Sequence, residues 1–141
     1  MNLEQLYEKA LKINLKAIEQ KVIKQTEAEI IDLNTNQLQK GLDANGNKLP
    51  EYQNENYLAS KKAQGLATAG SNYNFYLEGD FYKGFFMDDK GDINSSDEKT
   101  PKLEKLAGEP IFGLTNESIK NYEKDVFLEM FLEDLTNELG L

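Results

Sequence analysis

Residues 73–86 read Tyr-Asn-Phe-Tyr-Leu-Glu-Gly-Asp-Phe-Tyr-Lys-Gly-Phe-Phe and hold seven of the fourteen aromatic residues of the chain. Such a density of aromatic side chains is typical of β-strands. Directly after it, Asp89-Lys90-Gly91-Asp92 separates an apolar run from a polar one, as the turn of a hairpin does. The stretch therefore predicts a small antiparallel sheet centred on residues 73–97.

Upstream of the aromatic stretch, residues 2–40 contain neither Pro nor Gly. Their apolar residues follow a helical spacing, at Leu3, Tyr7, Ala10, Leu11, Ile18 and Val22. This pattern predicts a long helix over 1–40 that stops at Gly41 and leaves open a kink or a second helical piece after Ile23. Residues 41–72 are rich in turn formers and predict an ordered loop with at most a short helix.

Downstream, Thr100-Pro101 predicts the start of a short helix over 100–107, closed by Gly108. Thr115 predicts the cap of a C-terminal helix over 115–139. The middle of that helix is apolar nearly all round, so that one face can pack on the domain while another meets a neighbour. The predicted interface residues are Val126, Phe127, Met130, Phe131 and Leu135.

A chain of 141 residues and 16.0 kDa fits one domain. The predicted fold class is α+β, with long N-terminal and C-terminal helices packed on the small sheet. No N-terminal stretch resembles a signal peptide and no apolar run has membrane-spanning length, so synthesis in a cytoplasm is expected.

The residue types that are missing exclude most familiar enzyme chemistry. The sequence contains no Cys, His, Trp or Arg. Without Cys and His there is no disulfide, thiolate nucleophile, imidazole base or ordinary zinc site. Without Arg, the bidentate grip on phosphates is absent, and no Gly-rich phosphate loop occurs. We therefore expect a non-enzymatic protein with no cofactor, no metal and no small-molecule substrate.

The net charge of −9 is concentrated in the second half of the chain. Residues 1–70 carry nine acidic residues and nine lysines, whereas residues 71–141 carry sixteen acidic residues and seven lysines. Binding of nucleic acid is disfavoured because phosphate contacts need a cationic surface. A basic protein partner suits this distribution better.

The loop after the first helix, residues 41–57, admits two interpretations. Asp43, Asn45 and Asn47 have the spacing of calcium ligands, but Lys48 and Asn54 stand where an EF-hand loop needs Gly and Glu. The alternative is a tight turn around Asn45-Gly46 stabilised by Asx side-chain hydrogen bonds, and this interpretation is favoured.

Two further groups of acidic residues lie in the aromatic stretch and in the turn after it. Glu78 and Asp80 could act as a pair of catalytic carboxylates, although a turn or bulge between aromatic strands explains them as well. The acidic residues between Asp88 and Glu98 match no defined metal loop and favour a solvated hairpin.

Three segments taken together resemble a family of small proteins encoded in the virion-morphogenesis gene clusters of tailed phages and prophages. These proteins are similar to the tail-completion and head–tail joining proteins of long-tailed phages. The segments are 41–52, 74–82 and 111–115, and relatives have Thr where this chain has Glu78. The residues that carry the resemblance are Gly41, Asp43, Asn45, Gly46, Tyr52, Leu77, Gly79, Asp80, Ile111, Phe112, Gly113 and Leu114.

The resemblance implies a structural, non-enzymatic protein of the virion neck, present in the host cytoplasm during assembly. Its implied partners are other neck and tail proteins, which it meets in a ring or as a ring-binding subunit. It implies neither sequence-specific nucleic-acid binding nor a membrane. The alternative from a different class is an acidic inhibitor or immunity protein that binds a basic or DNA-binding target.

Overall fold

The computed structural model describes residues 1–66, 72–75 and 79–141, and their fold is α+β, as predicted. The N-terminal part forms three consecutive helices: α1 (Leu3–Leu11), α2 (Leu15–Gln25) and α3 (Glu27–Gln39). The prediction of one helix over 1–40 is therefore wrong. The break at Thr26 agrees with the alternative of a second helical piece after Ile23, whereas the break at residues 12–14 is not predicted by the sequence pattern. Asn14 caps α2 by accepting from the Ala17 N–H at 3.0 Å, and Thr26 ends α2 by donating to the Val22 carbonyl at 2.8 Å. Such short polar side chains compete with the helical backbone for hydrogen bonds.

The middle of the chain holds short elements around one hairpin. These are α4 (Glu55–Ala63), α5 (Asp80–Lys83), β1 (Phe85–Met87) and β2 (Ile93–Ser95). The strands are antiparallel and pair Phe85 with Ser95 and Met87 with Ile93, which confirms the predicted hairpin.

The sheet is smaller than the aromatic density indicated. Residues 80–83 are helical, and residues 72–75 form no strand beyond an isolated bridge between Asn72 and Glu51. Gly79 has a φ of 84° and starts the helical turn that buries Phe81 in the core. Aromatic side chains can thus fill a core from irregular or helical backbone, because burial does not require a pleated strand.

The C-terminal part contains α6 (Thr100–Ala107), α7 (Asn116–Tyr122) and α8 (Leu128–Leu139). Residues Glu123–Phe127 form a π-helical turn that joins α7 to α8 without a break in helical backbone. The predicted helices over 100–107 and 115–139 are confirmed, and the π-helical turn was not predicted.

The core lies where α3, the hairpin and α6 meet, and α8 packs against α2 and α1. Its buried members are Leu38, Leu49, Phe81, Phe85, Ala107 and Ile111. Across the described parts of the chain, no helix is both long and apolar enough to cross a bilayer.

Candidate protein-binding groove

The segment that follows α6 is fixed to α3 by two buried amide side chains. Asn34 donates through Nδ2 to the Ile111 carbonyl at 2.9 Å and accepts from the Gly113 N–H at 2.9 Å. Gln37 does the same one turn later, donating to the Gly113 carbonyl at 3.0 Å and accepting from the Thr115 N–H at 2.9 Å. These four hydrogen bonds hold residues 111–115 in an irregular conformation that sheet or helix pairing would not provide.

A second polar contact fixes the end of α7. The Tyr122 hydroxyl lies 2.6 Å from the Thr26 hydroxyl, and both residues are buried. Burial raises the pKa of Tyr122 above its usual value, because the charged phenolate would lose its solvation there. The contact joins the break between α2 and α3 to the start of the π-helical turn.

The π-helical turn changes which side chains the C-terminal helix directs toward the hairpin. A π-turn inserts an extra residue into the helix and is often found at functional sites. Glu123 and Phe127, its first and last residues, both face the space between α2, the hairpin and α7, and Phe127 stacks on Phe131 with ring centroids 5.4 Å apart.

These elements enclose an apolar groove of about 870 Å³, here called the acidic-rimmed groove. Its apolar lining comes from α2 and α3, the hairpin, the 111–115 segment and the C-terminal helices. The main apolar contributors are Ile23, Ile30, Met87, Ile93, Phe112, Leu114, Ile119, Phe127 and Phe131.

Every charged residue that lines the groove is acidic. Glu19 comes from α2, Asp92 from the hairpin turn and Glu123 from the π-helical turn, and all three are exposed. No lysine lines the groove among the described residues. An apolar floor with a rim of carboxylates favours a partner that presents apolar anchors flanked by basic side chains.

The Gly41–Tyr52 loop, which carries the first family-like segment, folds around the side chain of Asp43. Asp43 is buried, and its Oδ1 accepts from the N–H groups of Asn45 and Asn47 at 2.9 and 3.0 Å. Gly41 and Gly46 have φ values of 78° and 85°, which suit glycine. The favoured Asx-turn interpretation is therefore confirmed.

This loop also supports the groove from behind. The Ala44 N–H donates to the Pro110 carbonyl at 2.9 Å, and the Ala44 side chain lies against Gly113. Two of the three family-like segments, 41–52 and 111–115, are thus in contact. The third segment, 74–82, contacts each of them. The Tyr52 hydroxyl lies 3.4 Å from Asn74 Oδ1, and the ring centroid of Phe81 lies 6.1 Å from that of Phe112.

In the third segment, Leu77 and Glu78 lie outside the described residues. Gly79 starts α5, and Asp80 is an exposed residue of its first turn. Tyr52, from the first segment, lies with Gly79 and Asp80 on a separate cavity.

Only some of the predicted interface residues of the C-terminal helix line the groove. Val126, Phe127, Met130, Phe131 and Leu135 are all half-buried. Of these, Phe127 and Phe131 line the groove, as do Phe112, Gly113 and Leu114 from the family-like segment. The most exposed apolar side chains of α8 are instead Leu128 and Leu132.

Sequence reasoning missed Asn34 and Gln37, which organise the groove floor. A signal existed, because both share the buried face of α3 with Ile30 and Leu38. A polar residue in an apolar stripe predicts a buried hydrogen-bond partner, but not its identity.

No family model, curated protein or solved structure matches this chain. Within the described ranges, no group of three or more acidic side chains has an arrangement suited to a metal ion. Asp88 instead accepts from the N–H groups of Lys90 and Asp92, both at 2.9 Å, and so shapes the hairpin turn.

Proposed function

We propose that this protein is a structural, non-enzymatic virion component that acts at the head–tail junction of a tailed phage, in tail completion or neck assembly. It contributes by binding a basic amphipathic helix of a partner neck or tail protein in the acidic-rimmed groove. The virion setting is supported by the resemblance of segments 41–52, 74–82 and 111–115. The mode of binding is supported by the groove itself.

The observation that carries the proposal is the combination of an apolar floor with a rim of three carboxylates. An amphipathic helix presents apolar anchors at intervals of three and four residues and leaves its flanks free for charged side chains. Lysine or arginine on those flanks would meet Glu19, Asp92 and Glu123. Electrostatic complementarity of this kind raises association rates and selects partners.

The test compares two charge reversals that alter the net charge equally. Glu123→Lys reverses the charge of a residue at the rim. Glu129→Lys reverses the charge of an exposed residue in α8, directly after the π-helical turn, that does not line the groove. Each variant replaces the wild-type gene in the phage or prophage. Particles are then purified, and the copy number of this chain is measured against the major capsid protein by quantitative mass spectrometry.

We expect a low, fixed copy number in wild-type particles, about six to twelve if the cyclic symmetry of the neck sets it. Glu123→Lys should lower that number and Glu129→Lys should leave it unchanged. Equal copy numbers in the two variants would refute the groove as the binding surface. Absence from wild-type particles would refute the virion role and would favour an acidic inhibitor of a basic target.

A further inference from the structure

A second cavity, of about 500 Å³, lies between α4, the residues around α5 and α6. Its walls carry five aromatic side chains, from Tyr52, Tyr57, Tyr73, Phe75 and Phe81. Tyr52 and Tyr73 meet edge to face with centroids 4.4 Å apart, and Tyr73 stacks on Phe75 at 5.8 Å. The walls therefore offer flat apolar surfaces of a kind that suits a planar ring.

Lys61 from α4 lies in the wall of this cavity, with only 1% of its surface exposed. Its Nζ donates to the Tyr52 hydroxyl at 2.6 Å and to Asn74 Oδ1. An ammonium group has three donors, so one remains beyond these two bonds. Within the described parts of the chain, Lys61 forms no ion pair.

A buried ammonium group without a carboxylate is costly, because neutral hydrogen-bond acceptors replace only part of its hydration. Loss of solvent lowers the pKa of Lys61 to about 8, so the side chain is still mostly charged at pH 7. An anion in the cavity would supply the charge that the described protein groups do not.

Two more lysines stand at the same cavity. Lys99 and Lys102 are exposed residues at the start of α6, and Asp80 is the one acidic residue among the described lining residues. This excess of positive charge contrasts with the net charge of −9 of the whole chain. The local field at the cavity thus favours an anionic ligand.

The backbone of the wall is also held in an uncommon conformation. Phe75 has a φ of 56°, a region that bulky side chains rarely occupy. In this conformation the centroid of its ring lies 5.8 Å from that of Tyr73 and 6.0 Å from that of Phe81. Strained residues of this kind concentrate at binding sites, where the surrounding structure compensates the cost.

We propose that this cavity binds a small aromatic carboxylate of one or two rings, with the ring between the aromatic walls and the carboxylate beside Lys61. Its volume lies within the range of small-molecule sites. The composition predicts no small-molecule substrate, and the cavity binds its ligand without turning it over. The inference is independent of the acidic-rimmed groove.

The test titrates the full chain with 2-naphthoate and, separately, with the neutral isostere 2-naphthamide. Binding is followed by ¹H–¹⁵N correlation spectra, with the amides of Gly79 and Asp80 as reporters in the cavity wall. We expect the carboxylate to bind about tenfold more tightly than the amide, as one charge-assisted hydrogen bond allows. This comparison needs no variant and so cannot fail through misfolding.

Two variants assign that preference to Lys61. Lys61→Met removes the charge but keeps an apolar stem, and Lys62→Met makes the same change at the neighbouring exposed residue. We expect Lys61→Met to abolish the preference for the carboxylate and Lys62→Met to retain it. Affinity for 2-naphthoate should also fall above pH 8 in the wild type and in Lys62→Met, and stay flat in Lys61→Met.

Equal affinity for carboxylate and amide in the wild type would overturn the proposal. An unchanged preference in Lys61→Met, or spectral changes confined to the acidic-rimmed groove, would do the same.

Discussion

The acidic-rimmed groove and the Lys61 cavity are both walled by aromatic side chains, yet their charges are opposite. The groove is lined by Glu19, Asp92 and Glu123, whereas lysines predominate at the cavity. The two regions even share one aromatic core, since Phe81 of the cavity lies 6.1 Å from Phe112 of the groove, between ring centroids. The difference teaches that apolar surface alone does not distinguish the two regions, because the charged residues around each give them opposite electrostatic character.

The two regions also differ in the side chains whose hydrogen bonds fix their walls. The floor of the groove is fixed by neutral amides, Asn34 and Gln37, which do not titrate. The wall of the cavity depends on a buried ammonium group bonded to a tyrosine hydroxyl. The hydrogen bonds of Asn34 and Gln37 in the groove floor should therefore not change between pH 8 and pH 10, where the charge of Lys61 in the cavity does. Four predictions separate the two regions.

The largest effect is expected at the groove floor. Asn34→Ala removes two hydrogen bonds and leaves the buried Ile111 carbonyl and the half-buried Gly113 N–H without these partners. We expect the free energy of unfolding to fall by about 4 kcal/mol, since each buried group left unpaired is costly. Chemical denaturation measures this change in the free energy of unfolding. Asn36→Ala, at an exposed position of α3, is the control, and its free energy of unfolding should stay within about 0.5 kcal/mol of the wild-type value. A loss equal to that of the control would show that the amide does not organise the groove.

The second effect is the pH dependence of the free energy of unfolding that arises from Lys61 in the cavity wall. Lys61 has a pKa of about 8 in the folded chain and 10.5 as its ordinary value, so the folded state binds fewer protons between these values. Stability should therefore rise from pH 8 toward pH 10.5, by at most about 3 kcal/mol. Above pH 10 the trend reverses, because the pKa of Tyr52, raised by burial, is about 12 against an ordinary 10.0.

Denaturation midpoints at intervals of pH measure this effect below pH 10. Lys61→Met should lose the rise and Lys62→Met should keep it. Parallel curves for the wild type and Lys61→Met would mean that the ammonium group is solvated in the folded protein.

The third effect concerns the link between the two regions. Gly84 lies between α5, which lines the cavity, and β1, which lines the groove. A Cβ at this position would lie 2.7 Å from the Ser95 hydroxyl and 3.0 Å from the Asp97 backbone nitrogen. We expect Gly84→Ala to cost about 2 kcal/mol through overpacking, with thermal unfolding as the measurement. Lys83→Ala at the exposed neighbour should change stability little, and equal effects would show that the hairpin yields to the added methyl group.

The smallest effect is again on the groove side. Tyr122→Phe removes the hydroxyl that contacts Thr26, while Thr26 retains its bond to the Val22 carbonyl. Because no group is left unpaired, the cost should be about 1 kcal/mol. Tyr7→Phe, at an exposed position, is the matched control for thermal unfolding. A cost above that of Asn34→Ala would place the main anchor of the groove at Thr26 instead.

Local sequence signals located most elements but misjudged two of them. The hairpin and the C-terminal helix follow from turn and cap residues that act within a few positions. The helix over 100–107 has the predicted bounds, but Lys99 and not Thr100 is its N-cap, and no side chain caps it. The long first helix was overextended because periodicity does not register the cap formed by Asn14. The aromatic stretch contains less strand than its composition indicates, because an aromatic side chain in the helix α5 can also be buried in the core.

The sequence by itself determined what local contacts decide: the Thr115 cap, the turn around Asp43, the turn of the hairpin and the acidic balance of the second half. Only the tertiary structure decided which polar residues became buried. Asn34 meets Gly113 across 79 positions, and Lys61 meets Asn74 across 13 positions. The physical reason is that a buried polar group needs a partner of the right geometry, and its residue type does not specify where in the chain that partner lies.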